Sequence, residues 1–166
     1  MEPQKKKILI IDDDRKYLQT LKDLLSEEGY YVIAAYSTEG AIDWALRKDL
    51  TPIDMIITDQ RMPGEQGSSF LDFLNELREV SPQKLDQRSE LYQKIRKRFL
   101  DLNDREFQEL IKNIGSPSCK RVILSGYAED NKIRESMNKR SIDKFIQKQA
   151  GAEGVVTEIR SLFQGG

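Results

Sequence analysis

The 166-residue chain contains no histidine. That absence removes Ser-His-Asp and Cys-His catalysis, histidine-ligated zinc and the commonest general base near neutral pH. Any chemistry must therefore run on carboxylates, hydroxyls and lysine. Cys119 is the single cysteine, which excludes an internal disulfide and any multi-cysteine metal site and fits a reducing cytoplasm. A dominant charge is missing too. Lys plus Arg number 27 against 28 for Asp plus Glu, a net of -1, so no global field draws the molecule to nucleic acid or to an anionic membrane. No extended apolar stretch opens the chain: the start, MEPQKKKILIIDDD, has four apolar residues closed by three aspartates, too short for a signal peptide or a membrane span. The expectation is a soluble, cytoplasmic protein whose function lies in a local site, on one domain with at most an appendage.

Short apolar runs alternate with helical patterns along the chain. A run that is apolar at successive residues suits a parallel strand covered on both faces, and five strand candidates occur, over 8–11, 31–35, 53–58 and 122–124 and, with a weaker pattern, 142–146. Between them, apolar residues recur at spacings of three and four. The first set is Tyr17, Leu18, Leu21, Leu24 and Leu25, the second Ala41, Ile42, Ala45 and Leu46, the third Phe70, Leu71, Leu74 and Leu77. Gly29 is placed to end the first helix, and later helices are predicted over 133–139 and through Val155, Val156, Ile159, Leu162 and Phe163. The pattern is α/β with right-handed crossovers.

One segment breaks the rhythm. A crossover from the third to the fourth strand needs roughly 20 to 30 residues, yet Asp59 and Ser125 stand 66 positions apart (125 minus 59). The surplus lies between Ser81-Pro82 and Ser116-Pro117. The expected division is a domain of residues 1–81 and 118–164 interrupted by an inserted helical hairpin, 82–117. Leu85, Tyr92, Ile95, Phe99 and Leu102 would form one stripe of that hairpin. Asn103 and Glu106, at capping-box spacing, would start its second helix ahead of Phe107, Leu110, Ile111 and Ile114. The stripe reads as a packing seam, and the basic run Lys94, Arg96, Lys97 and Arg98 as a solvated face.

In a doubly wound sheet, ligands bind at the carboxyl ends of the strands. Asp12 and Asp13 follow the first strand, Asp59 ends the third, Ser125 ends the fourth and Lys148 lies just beyond the fifth. Three crowded carboxylates repel one another unless they share a cation, and an oxygen-only cluster suits Mg2+. Asp59 could then act as a nucleophile on phosphorus, Ser125 donate a hydrogen bond to a phosphoryl oxygen and Lys148 neutralise another. Taken singly these residues have plainer readings: Asp14 as a helix N-cap, Ser125 as a loop serine, Lys148 as a solvated lysine. Only the ensemble promotes them.

That ensemble resembles the receiver domains of bacterial two-component response regulators. ILIIDDD is similar to the family's acidic first-strand end, DMIITDQRMPGEQG to its phosphoacceptor strand and loop, VILSGYAED to its hydroxyl segment and DKFIQK to the fifth strand and its lysine. The resemblance implies a flavodoxin-like five-stranded parallel sheet of order 2-1-3-4-5 with helices on both faces. It also implies Mg2+ held by Asp12, Asp13, Asp59 and the backbone carbonyl of Arg61, and a phosphoryl group passed from a phosphohistidine to Asp59. Ser125 and Phe145 would be the switch residues, although an aromatic on a last strand is equally a core residue. The implied partners are a histidine kinase or histidine phosphotransfer protein and a downstream output domain or protein, with room for a homodimer and no direct contact with nucleic acid or membrane. Arg61 and Tyr127 occupy the family's variable positions, and Gly126 leaves the phosphoryl group open to water. One departure stands out: Gln149, where the family usually has proline, follows Lys148, which keeps Lys144 as a substitute lysine. Two other readings compete. An aspartate-nucleophile phosphatase would want Asp-x-Asp-x-Thr, and the threonine is missing; a phosphate-independent scaffold would have no use for the acidic site.

Overall fold

The computed structural model describes residues 3–46, 52–79, 103–127 and 130–165. In chain order the elements are β1 (Lys7–Ile11), α1 (Arg15–Glu27), β2 (Tyr31–Ala35), α2 (Thr38–Ala45), β3 (Met55–Asp59), α3 (Gly67–Glu79), α4 (Asp104–Ile114), β4 (Lys120–Ser125), α5 (Asn131–Asn138), β5 (Lys144–Gln147), a 3-10 turn over Lys148–Ala150 and α6 (Gly151–Gln164). The strands form one sheet of order 2-1-3-4-5. Every pairing is parallel, with Ile11 opposite both Ala35 and Thr58, Asp59 opposite Leu124, and Ser125 opposite Gln147. The carboxyl ends of β1, β3, β4 and β5 therefore open at one edge.

The continuous apolar runs follow from two-sided burial. Side chains alternate across a strand: Ile8 and Ile10 of β1, Met55 and Ile57 of β3, and Val122 and Leu124 of β4 enter one core, beneath α1 and α6. Leu9, Ile11, Ile56 and Ile123 enter the other, beneath the remaining helices. Each such side chain removed from water contributes about 1.5–3 kcal/mol; two polar exceptions on these strands, Thr58 and Arg121, are fully buried and bonded, Thr58 Oγ1 to Asp59 O and Arg121 Nη2 to Leu74 O. Helix α1 begins at Asp14, whose carboxylate accepts from Tyr17 N at 3.1 Å, as its N-cap position predicts. It ends in a paired motif, with Gly29 N donating to Ser26 O and Tyr30 N to Leu25 O. Gly29 adopts φ 94° there, a backbone conformation that costs glycine little.

Of the five strands only the second keeps its expected bounds: β1 gains Lys7, and β4 extends to Lys120–Ser125. The third runs over Met55–Asp59, with Ile53 N donating to Asn113 O of α4, and the fifth runs over Lys144–Gln147, leaving buried Ile142 ahead of it. Of the segment 82–117, the first expected stripe, Leu85 to Leu102, lies outside the described residues. The second expected helix is α4. Its capping box is complete, with Asn103 Oδ1 accepting from Glu106 N at 3.0 Å and Glu106 Oε2 from Asn103 N at 2.9 Å. Leu110 and Ile114 are fully buried in the core that holds Ile42, Ala45, Ile53 and Phe73, and Asn113 Nδ2 donates to Ala45 O at 2.6 Å.

Candidate functional site

The aligned strand ends deliver the acidic residues to one pocket. Asp12 follows β1 and is anchored by its N–H, which donates to Ala35 O at 3.1 Å. It is 2% exposed; one carboxylate oxygen accepts from Asp14 N at 2.9 Å and the other from Lys148 Nζ at 2.7 Å. Asp59, the last residue of β3, is 8% exposed, and Asp13 faces solvent. Asp12, Asp13 and Asp59 each offer a carboxylate oxygen, all within 4.8 Å of one another. Lys148 opens the 3-10 turn after β5, and its Nζ lies 2.9 Å from Asp59 Oδ1.

Burial disfavours the Asp59 anion and pushes its pKa up; the hydrogen bond from Lys148 opposes this, while Asp12 and Asp13 add to it. Burial alone would lower the Lys148 pKa, but its bonds to Asp12 and Asp59 outweigh that and raise it, so the ammonium keeps its charge. Three carboxylates against one ammonium leave an excess of negative charge on hard oxygen donors, a set that fits a divalent cation of the magnesium or calcium kind.

The other expected residues are placed as follows. Ser125 ends β4, 2% exposed, and its Oγ accepts from Tyr127 N at 3.1 Å. Arg61 and Tyr127 are exposed at the rim and touch each other, the guanidinium 3.7 Å from the ring centroid. Phe145 is half-buried against the core that contains Ile123 and Ile133, with Met62 packed on the same core; it is not among the pocket's polar groups. Lys144 pairs with Glu158 at 3.5 Å, so of the two lysines it is Lys148 that reaches the carboxylates. An added Cβ at Gly126 would meet open space. The sequence reading passed over Tyr17, whose ring lies 4.4 Å from Lys148 Nζ, because on α1 it reads simply as core. It also passed over Gly67, where any Cβ would collide with the Asp59 carbonyl oxygen; the signal there was a glycine opening a helix directly after the acceptor loop.

A flavodoxin-like sheet with an acidic cluster at the β1 and β3 ends has its candidate site where doubly wound α/β proteins bind their ligands. Comparison with known proteins narrows the class. Residues 8–84 match the response regulator receiver domain. Over 74 residues the chain is 42% identical to the transcriptional regulatory protein CpxR of Escherichia coli, an alignment covering 45% of this chain and 29% of that one; the chain thus spans under a third of that relative's length. A CheY-like receiver domain protein from Methanospirillum hungatei superposes with a TM-score of 0.62 at 19% identity, over 98% of this chain and 96% of the other. A response regulator from Burkholderia pseudomallei, solved with a phosphorylated aspartic acid, a calcium ion and citrate, gives 0.57 at 18% identity, over 94% and 71%. Residues 8–84 thus carry the receiver-domain signature of the response regulators, and the chain as a whole shares the fold of their solved receiver domains.

Proposed function

We propose that Asp59 is the phosphoacceptor, that Asp12, Asp13, Asp59 and the Arg61 carbonyl hold Mg2+, and that Ser125 and Lys148 bind the phosphoryl oxygens. The convergence of three carboxylates and one ammonium at a single sheet edge carries this reading. An Asp59 oxygen attacks the phosphorus of a phosphohistidine, the P–N bond breaks, and the imidazole leaves with a proton from solvent. Bound Mg2+ would supply charge neutralisation between the carboxylates and the phosphoryl oxygens. The chain itself lacks histidine, so the donor imidazole comes from elsewhere, in a histidine kinase or phosphotransfer protein of the cytoplasm. Among the described residues no helix is long and apolar enough to cross a membrane.

A phosphoryl group adds about -1.5 to -2 charge, enough to draw the Ser125 hydroxyl off Tyr127 N and to hold Lys148 on the new oxygens. The movement of β4, its loop and Phe145 would be read by an output domain or partner, and the chain itself turns over no external substrate. The test is Mg2+-dependent labelling by acetyl phosphate. Wild type should take one phosphoryl group and Asp59→Asn none; turnover of phosphomonoesters would instead indicate a phosphatase, and an unlabelled wild type a scaffold.

A further inference from the structure

The residue after the acceptor, Gln60, is a polar side chain only 1% exposed, and nothing in the proposed chemistry uses it. Its backbone is clamped on both sides, N donating to Leu124 O of β4 at 3.0 Å and O accepting from Gly67 N at 3.1 Å. Its amide oxygen accepts from Ser68 N at 2.8 Å, and Nε2 donates to Ser68 Oγ at 2.9 Å. A side-chain amide has two N–H groups. The second points to Asp130 Oδ2 at 3.4 Å, while Asp130 Oδ1 accepts from Ile133 N at 2.8 Å and caps α5.

We infer that Gln60 is a positioning residue that holds α5 in its resting place, by sharing one buried amide between the first turn of α3 and the Asp130 cap. Asp130 lies five positions after Ser125, so the segment that a phosphoryl group would pull through Ser125 is the segment that Gln60 restrains. The 3.4 Å contact is the longest of the amide's bonds and yields first, whereas the two bonds to Ser68 keep the acceptor loop in place. This rests on the phosphoacceptor reading and adds the part that resists it. A residue serving only to start α3 would need no bond to Asp130.

The test uses the full chain with Mg2+ and beryllofluoride as the phosphoryl mimic, in wild type, Gln60→Met, Asp130→Asn and the double variant. Asp130→Asn keeps a cap oxygen for Ile133 N but sets an N–H2 group against Gln60 Nε2, so this variant cuts the link without removing the cap. Each single variant should bind beryllofluoride about five-fold tighter or more, with α5 amide resonances displaced toward their bound positions before ligand is added. The double variant should match the singles, because one contact cannot be lost twice. Affinities within two-fold of wild type with unmoved α5 resonances, or additive effects in the double variant, would overturn the inference; if Gln60→Met does not fold, Asp130→Asn decides alone. A wild type that binds no beryllofluoride would overturn the phosphoacceptor reading, whereas normal wild-type binding with unaffected variants would overturn the coupling alone.

Discussion

Lys148 and Asp59 are joined across the sheet edge by a 2.9 Å ion pair, and the same ammonium lies 2.7 Å from Asp12. The lysine thus holds the two buried carboxylates that the proposed cation would share. Two unit charges 4 Å apart interact by about 1 kcal/mol in water and about 4 kcal/mol at an effective dielectric of 20. Removing the ammonium should therefore strengthen cation binding while removing the group that reads the phosphoryl charge. Lys148→Met is expected to bind Mg2+ roughly ten-fold tighter by calorimetry, or about 1.4 kcal/mol, and to show no α5 displacement on beryllofluoride binding. Unchanged Mg2+ affinity would mean that the ammonium and the cation do not share the pocket.

Arg61, two residues after Asp59, stacks on Tyr127, two residues after Ser125, and a stack in that place would screen the acceptor from solvent, whereas Gly126 beside it contributes no side chain. A cation over an aromatic face is worth about 0.5–1 kcal/mol at an exposed site, so the cover opens easily and either partner alone holds it poorly. Tyr127→Ala and Arg61→Ala should each shorten the lifetime of the aspartyl phosphate about three- to ten-fold at fixed Mg2+, since a water needs room beside the acyl phosphate. Gly126→Ala, whose Cβ meets open space, should lengthen it. Decay of phosphorylated protein after removal of acetyl phosphate measures all three, and a Gly126→Ala that decays faster than wild type would refute the shielding argument.

How much of this was legible in the sequence depends on the range of the interaction. The strands were readable because two-sided burial writes itself as consecutive apolar residues, and Asp14, Asn103 and Glu106 were readable because caps are local. The pocket was readable because a parallel sheet fixes every carboxyl end at one edge. Gln60 was not, because its partners Ser68 and Asp130 are 8 and 70 positions away and a glutamine carries no periodic signal. The bridge from Lys148 to Asp12 spans 136 positions; the sequence offered two lysines, and only the packing of β5 chose between them. Gly67 was similarly opaque, since the collision it avoids is with a carbonyl oxygen eight residues earlier.

The α1–α6 seam carries a pH dependence of its own. Arg160 of α6 donates from Nε and Nη2 to the two carboxylate oxygens of Glu28 at 2.9 and 2.7 Å, and the hydrogen bond from Arg160 holds the Glu28 carboxyl below its ordinary 4.5. A folded pKa below the unfolded one means that the stabilisation is present above the unfolded value and is lost as pH falls through the folded value. Glu28→Gln should therefore unfold at lower urea than wild type at pH 7, with the gap closing as the pH falls below 4.5. Because the pair is exposed, added salt should also narrow the gap at pH 7. A gap independent of pH would assign the effect to helix capping at Glu28 instead.

The segment 82–117 looks removable from the sequence, since it is surplus to a β3–β4 crossover, but α4 fills part of the core between α2 and α3. Leu110 and Ile114 are fully buried, Asn113 bonds Ala45 and receives the Ile53 N–H, and cavities left by such side chains are costly. Leu110→Ala should lower stability by about 2–5 kcal/mol in denaturant unfolding while leaving Asp59 labelling by acetyl phosphate intact, because the pocket lies at the opposite, carboxyl ends of the strands. Deleting 82–117 whole should do more, exposing the apolar surface around Ile42, Ile53 and Phe73 and leading to aggregation. Deleting only 82–102 and closing the gap with a glycine-serine linker should keep the fold and the labelling. If the full deletion were as stable as wild type, α4 would be an appendage and not a wall of the receiver core.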